Sequence, residues 1–119
     1  MDTAQLDHSS NFMWPSDDVS EVPYRVYTDQ NLYEREQRLL FQRPTWNILC
    51  LECEITNAGD YKMTNIGDAP IIVVRDENGD INAMVNRCAH KGSMICYKPR
   101  GNVSEFACSY HNWTYDLRG

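Results

Sequence analysis

Four side chains with metal-binding chemistry occur in two short pairs near the end of the chain. Cys88 and His90 are separated by one residue, Cys108 and His111 by two, and seventeen residues lie between the pairs. Thiolates and imidazoles are ligands of both zinc and iron–sulfur clusters. Each short spacing lets one loop present two ligands to a small site, and the long gap lets two loops converge. The pattern predicts a metal centre.

Three interpretations of this pattern compete. The four residues could be buried cysteines and hydrogen-bonded histidines with a chance spacing, or the ligands of a structural zinc ion, or the ligands of a cluster. Zinc fingers usually take two cysteines from one element and two histidines from another. Here each pair supplies one sulfur and one imidazole, which suits a [2Fe–2S] cluster with two histidines on one iron. We favour the cluster. Gly92 and Gly101 stand where tight turns would bring backbone amides close to it.

The overall composition argues against several classes of function. The chain has 119 residues, enough for one domain, and its net charge of −6 offers no basic stripe for nucleic acid. We find no signal peptide and no apolar run of the roughly 20 residues needed to cross a bilayer. Five cysteines without a secretory signal favour metal binding over a disulfide framework. We therefore expect a cytoplasmic protein.

The elements that must position the four residues are mainly strands. Residues 1–20 form a polar tail that includes His8 and Trp14, and Thr28 or Asp29 can cap a helix that runs to about Leu40. We expect Leu32, Leu39 and Leu40 on one side of this helix, which ends before Pro44.

Beyond the helix, residues 46–55, 61–65, 70–74 and 81–85 are typical of strands, and Asn78-Gly79 indicates a hairpin turn. The predicted fold is mainly β. It comprises an N-terminal tail and helix at residues 1–43 and a small antiparallel β domain at 44–119.

Three stretches carry a family resemblance. They are Asn86-Arg87-Cys88-Ala89-His90-Lys91-Gly92, then Gly101-Asn102, then Phe106-Ala107-Cys108-Ser109-Tyr110-His111-Asn112-Trp113-Thr114-Tyr115-Asp116. Together they resemble the Rieske domain of aromatic-ring-hydroxylating oxygenase large subunits. The family usually has Arg at the position of Lys91 and Gly at that of Asn112. Residues 22–24 and 46–52 are similar to large subunits that act on aromatic carboxylates such as anthranilate, salicylate or terephthalate.

The resemblance implies a Rieske [2Fe–2S] cluster in which Cys88 and Cys108 ligate one iron and His90 and His111 ligate the other through Nδ1. It implies electron transfer from a reductase or ferredoxin, with His111 as the exit, to a mononuclear Fe(II) in a catalytic domain outside this chain. It also implies an oligomer, with or without a small subunit, and a chain that is the N-terminal part of a large subunit. A free-standing Rieske ferredoxin is the alternative.

Several further residues bear on the cluster. Tyr110 stands where high-potential Rieske proteins have an extra cysteine, and Trp113 stands in place of a hydroxyl donor, so we predict a midpoint potential of about −150 mV. Trp113 and Tyr115 are expected to shield the cluster or to pack. We expect Cys50, Cys53 and Cys96 to be buried packing residues, although the first two form a C-x-x-C motif.

Overall fold

The structure, a computed structural model, describes residues 20–119, so the predicted tail with His8 and Trp14 lies outside the described residues apart from Ser20. The chain forms two units, one ending at Arg35 and one over Glu36–Gly119. The boundary at residue 43 that we expected from the sequence stays a prediction. None of the described helices is long and apolar enough to pass through a membrane.

Short helical turns come first. A 3₁₀ turn spans Tyr24–Tyr27, and helix α1 spans Gln30–Glu36. Asp29 caps the helix, as predicted, because its Oδ1 accepts a hydrogen bond of 3.0 Å from the Leu32 amide. The same amide is the main reason that the pKa of the Asp29 carboxyl is lowered, followed by the Arg25 guanidinium.

The second unit opens with a π-helical turn over Gln37–Phe41, so the helical lead-in ends before Pro44 as predicted. Its buried residue is Gln37, whose Oε1 accepts a hydrogen bond of 3.0 Å from the amide of Asp68. Leu40 is exposed, so the apolar side predicted for the helix was wrong at this position. The change from an α-helical to a π-helical turn alters the angular spacing on which that side was predicted.

The main sheet has four antiparallel strands. They are β1 (Asp60–Ile66), β2 (Ala69–Arg75), β3 (Ile81–Val85) and β4 (Arg100–Asn102), in the order β3-β2-β1-β4. A two-stranded sheet of β5 (Phe106–Ala107) and β6 (Thr114–Tyr115) follows. The predicted fold class, an antiparallel β domain with a short helical lead-in, is confirmed.

Residues 46–55 form no strand, and that prediction was wrong. Residues 46–51 pair with no strand in the described part of the chain, and a 3₁₀ turn spans Glu52–Glu54. Strand-forming residues need a partner ladder, which residue type alone does not provide. The Arg75 guanidinium fastens this segment to β2 by donating to the Ile55 carbonyl at 2.8 Å and to the Glu52 carboxylate at 2.9 Å.

The C-x-x-C motif lies at this turn. Cys50 is half-buried against the Ile55, Ile71 and Val73 cluster, as expected of a packing residue. Cys53 is exposed, so its predicted burial was wrong, because it lies in a 3₁₀ turn and not in the predicted strand. Burial raises the pKa of the Cys50 thiol, with a further contribution from the Glu54 carboxylate. Both thiols are free.

Strand β2 is covered on both faces. Ile71 and Val73 pack on one side of the sheet, and Ile72 and Val74 pack on the other within a larger cluster that includes Cys88 and Cys108. Alternate residues of a strand point to opposite faces, so the strand serves both clusters at once. The larger cluster lies beneath the two predicted ligand pairs and supports them.

The hairpin between β2 and β3 also binds the segment that follows β6. The Asp76 carboxylate is 1% exposed and accepts hydrogen bonds from the amides of Asn78 and Asp80 at 2.9 and 3.0 Å and from Arg118 Nε at 3.0 Å. Burial alone would raise the pKa of this carboxyl, but Arg118 and the two amides outweigh it and lower the pKa. Arg118 follows the buried Leu117, so this ion pair holds the segment after β6 against the hairpin.

Truncation of Ile72 tests the role of β2. Because Ile72 is 0% exposed, Ile72→Ala in the protein containing this chain should lower the free energy of unfolding by about 2–5 kcal/mol. Ile81→Ala is the matched control on the edge strand, where the side chain is 45% exposed, and should cost less than about 1 kcal/mol. Urea unfolding followed by tryptophan fluorescence measures both. Equal losses would contradict this assignment of the core.

Candidate metal centre

Two loops with the same pattern of backbone hydrogen bonds carry the four predicted ligands. The first, residues 88–93, follows β3, and the second, residues 108–113, connects β5 to β6. The carbonyl of Cys88 accepts the Gly92 amide at 2.8 Å, and the carbonyl of Cys108 accepts the Asn112 amide at 2.9 Å. Each cysteine amide in turn donates to the carbonyl five residues on, at 2.7 Å in the first loop and 2.8 Å in the second.

The fourth residue after each cysteine has a left-handed backbone. Gly92 has φ of 73° and Asn112 has φ of 57°. Glycine adopts this region freely, and asparagine is one of the few other residues that tolerate it. A β-carbon at Gly92 would also lie only 2.9 Å from Arg87 Nε. Asn112 therefore makes the same left-handed turn in the second loop that Gly92 makes in the first.

The loops bring like side chains together. The two cysteines are buried in the larger core cluster, and the rings of His90 and His111 lie 4.7 Å apart between centroids. His90 is half-buried and His111 is exposed. Two sulfurs therefore lie on the inside of the site and two imidazoles lie toward solvent.

One buried nitrogen has no partner. His90 Nδ1 is shielded from solvent and makes no hydrogen bond within the described residues. A buried polar atom without a partner costs free energy, and such atoms are rare in folded proteins. Trp113 stacks on the same ring at 4.9 Å between centroids with 6° between the planes, which fixes the ring's orientation. A metal ligated by Nδ1 would satisfy this atom.

The donor set is that of a [2Fe–2S] cluster with two histidines, because both cysteines lie in one core cluster and the two imidazoles lie together. A structural zinc ion takes four such ligands, whereas each iron of a [2Fe–2S] cluster with two histidines takes two.

A family model described as the Rieske [2Fe-2S] domain matches residues 45–119. The chain belongs to this family. The Rieske chain is 49% identical to the large subunit of anthranilate 1,2-dioxygenase from Burkholderia cepacia over 116 residues, which are 98% of the chain and 27% of that protein. It is 45% identical to the large oxygenase component of salicylate 5-hydroxylase from Ralstonia sp. over 106 residues, which are 89% and 25% of the two chains.

Solved structures show the same relationship. Naphthalene 1,2-dioxygenase from Rhodococcus sp. bound to indole matches the Rieske chain with a TM-score of 0.75 and 38% identity, over 82% of this chain and 22% of that one. The resemblance to ring-hydroxylating dioxygenase large subunits is confirmed. The chain spans about a quarter of the length of the curated relatives it matches.

Tyr115, in β6 after the second loop, contacts Cys88 of the first loop. Its hydroxyl lies 3.1 Å from Cys88 Sγ and accepts a hydrogen bond of 3.0 Å from the Ala89 amide. This hydroxyl is the main reason that the pKa of the Cys88 thiol is lowered; burial opposes it, and the His90 amide and Cys108 thiol assist. The hydrogen bond to Cys88 in turn raises the pKa of the tyrosine.

The sequence alone predicts only shielding or packing for Tyr115. The signal that could have revealed more is the spacing of two residues from Trp113, because residues two apart in an extended segment point the same way. Trp113 stacks on a predicted ligand of the first loop, and Tyr115 reaches the other predicted ligand of that loop.

Asn86 is a second positioning residue that the sequence pattern does not reveal. Its buried side-chain oxygen accepts the amides of Ile95 and Cys96 at 3.0 and 2.9 Å, and its Nδ2 donates to the Cys96 carbonyl at 2.7 Å. These bonds connect the entrance of the first loop to the segment after it. Cys96 is buried, as predicted, and burial together with a hydrogen bond to its thiol raises the pKa of Tyr61 to about 12.

Gly101, expected at a turn near the cluster, lies elsewhere. It pairs with Tyr61 in the β1–β4 ladder, and a β-carbon there would come within 2.8 Å of the tyrosine hydroxyl. That prediction was wrong because close packing against an aromatic ring also requires glycine.

Removal of the Tyr115 hydroxyl tests its role. The hydrogen bond stabilises negative charge on the Cys88 sulfur, so Tyr115→Phe should lower the midpoint potential by roughly 20–60 mV. Tyr110→Phe is the matched control, because Tyr110 is exposed and its ring packs on His111. Redox titration monitored by EPR measures both. An unchanged midpoint in Tyr115→Phe would contradict the assignment.

Proposed function

We propose that this chain is the Rieske electron-transfer domain of an aromatic-ring-hydroxylating dioxygenase large subunit. Cys88 and Cys108 would hold one iron of the [2Fe–2S] cluster, and His90 and His111 would hold the other. The bound cluster supplies reversible uptake and release of one electron at a time.

The buried, unpaired Nδ1 of His90 carries this proposal. His90 belongs to the first of two loops with the same pattern of backbone hydrogen bonds, and each loop presents one thiol and one imidazole. A purely structural histidine would have its buried nitrogen hydrogen-bonded. Imidazole ligands in place of thiolates reduce the negative charge of the centre, which raises its potential above that of all-cysteine ferredoxins.

The protein groups around the site have separate tasks. The two cysteines lie in the larger core cluster, which keeps water from the sulfurs. Trp113 orients the His90 ring by stacking, and the Tyr115 hydroxyl forms a hydrogen bond with Cys88 Sγ. His111 is the exposed member of the histidine pair, which supports its assignment as the point of electron exit.

The relatives support the wider assignment. Anthranilate, salicylate and terephthalate appear in the names of three similar large components, and all three are aromatic carboxylates. We propose that the whole protein hydroxylates a substrate of this class at a mononuclear iron outside this chain, and that a reductase or ferredoxin supplies the electrons. An oligomer and a cytoplasmic location belong to the same proposal. A free-standing Rieske ferredoxin is not favoured.

Two cysteine variants test the cluster assignment. Cys108→Ser in the protein containing this chain should abolish most of the iron, the acid-labile sulfide and the visible absorption, because one ligand of the pair is lost. Cys96→Ser is the control, since Cys96 is also buried in the larger core cluster but belongs to neither ligand loop. Iron and sulfide analysis with EPR of the dithionite-reduced protein measures both. Equal cluster content in the two variants would refute the ligand assignment.

A further inference from the structure

The C-x-x-C motif of Cys50 and Cys53 has no part in the Rieske centre. Cys50 packs against the smaller of the two core clusters, whereas Cys88 and Cys108 belong to the larger one. Strand β2 separates the two clusters, because its alternate residues point to opposite faces of the sheet. Cys50 therefore lies across the sheet from the predicted cluster ligands.

The turn that carries the two cysteines is held by contacts from both neighbouring strands. The Leu51 carbonyl accepts the Glu54 amide at 3.0 Å, and the Glu54 carboxylate accepts the Leu51 amide at 3.0 Å. Lys62 of β1 binds the same carboxylate at 2.6 Å, and Arg75 of β2 binds the Glu52 carboxylate at 2.9 Å. Both thiols are therefore attached to a backbone whose conformation is fixed.

The two thiols differ in exposure but interact with one another. Cys50 is half-buried and Cys53 is exposed, and both are free. Burial is the main cause of the raised pKa of the Cys50 thiol, the Glu54 carboxylate is the next, and the Cys53 thiol also contributes. Coulomb interactions weaken with distance, so the two sulfurs are neighbours. A ligand that reaches Cys53 from solvent therefore meets a second sulfur nearby.

The backbone between the cysteines favours a bridging cation over a disulfide. Leu51 is extended, with φ of −85° and ψ of 143°, and an extended residue lengthens the span between its neighbours. A disulfide needs sulfurs about 2.05 Å apart and α-carbons within roughly 7 Å. Two metal–sulfur bonds of about 2.3 Å at a tetrahedral ion instead join sulfurs that are roughly 3.7 Å apart. The longer bridge suits this turn.

The charge of the pair also suits a divalent cation. Two thiolates and one divalent cation have no net charge, so their complex leaves no uncompensated charge beside the half-buried sulfur. The flanking carboxylates of Glu52 and Glu54 are already engaged by Arg75 and Lys62. The remaining positions of the cation are then open to water, unlike those of a structural zinc ion with four protein ligands.

We propose that Cys50 and Cys53 form a labile binding site for a thiophilic divalent cation of the zinc and cadmium class. Each thiol gives its proton to solvent as its sulfur binds the cation, so two metal–sulfur bonds replace two S–H bonds and nothing is oxidised or reduced. The exposure of Cys53 lets the cation enter and leave from solvent. The site is independent of the proposed function, because it uses neither ligand loop.

Protection of Cys53 by zinc tests the proposal. The protein containing this chain is alkylated with iodoacetamide with and without Zn²⁺, and mass spectrometry of the peptide that contains residues 50–53 follows the reaction. We expect Zn²⁺ to slow alkylation of Cys53 at least about tenfold in the wild type, because a metal-bound thiolate is not free to react. In Cys50→Ser this protection should nearly vanish, because loss of a ligand costs at least the roughly 10–100-fold in affinity that loss of a supporting group costs.

Two further variants complete the test. Cys96→Ser is the matched control, because it removes a buried thiol outside the motif and should leave the protection of Cys53 unchanged. Cys53→Ser gives a measurement that does not depend on the half-buried residue, since an exposed side chain can be replaced without loss of the fold. In equilibrium dialysis this variant should bind one zinc ion fewer per chain at the concentration that protects the wild type.

Equal protection of Cys53 in the wild type and in Cys50→Ser would overturn the proposal, since Zn²⁺ would then act on a single thiol. Unprotected Cys53 in the wild type, or an unchanged zinc content in Cys53→Ser, would overturn it as well. The EPR spectrum of the dithionite-reduced protein should be the same with and without Zn²⁺. Loss of that signal at the protecting concentration would contradict a site confined to the motif, and its absence before zinc is added would refute the Rieske assignment instead.

Discussion

A single backbone hydrogen bond, made twice, sets the geometry of the site. In both loops the amide four residues beyond the cysteine returns to the cysteine carbonyl, which requires a left-handed residue at that position. The turn lets the cysteine remain in the core while the histidine reaches the rim. One residue separates the cysteine from the histidine in the first loop and two separate them in the second, yet both loops make the same backbone hydrogen bonds. The mixed pairing of sulfur and imidazole is thus a property of the loop.

The rest of the domain fixes the positions of these two loops relative to one another. Strand β2 is buried on both faces and supports the cluster of apolar residues beneath the cysteines. Asn86 fastens the first loop at its entrance, and the Asp76–Arg118 ion pair fastens the segment that follows the second. Tyr115 connects the second loop to Cys88 of the first. Because the carboxyl of Asp76 has a lowered pKa in the folded chain, its contribution to stability is complete at neutral pH and is lost as pH falls through that value.

The sequence predicted the fold class and the family, but not every strand. Ligand spacing and loop length are local, so the pattern at Cys88, His90, Cys108 and His111 could be interpreted directly, and the structure brings these side chains together in like pairs. Strand pairing is not local: residues 46–51 have strand-forming side chains but no partner in the described chain. The contacts of Tyr115 with Cys88 and of Asn86 with Cys96 join residues 27 and 10 positions apart, and no propensity encodes them. The predicted burial of Cys53 was also wrong, because its exposure depends on the turn at Glu52–Glu54.

In the proposed site, one thiol and one imidazole from each loop ligate the same pair of irons. Pulsed EPR of the reduced protein, with histidine labelled with ¹⁵N, tests it most directly. We predict two strongly coupled histidine nitrogens in the spectrum of the wild type, with one coupling lost in His111→Cys if a cluster still assembles. A spectrum with no strongly coupled histidine nitrogen, or a pair of couplings that survives in both His90→Cys and His111→Cys, would contradict the account.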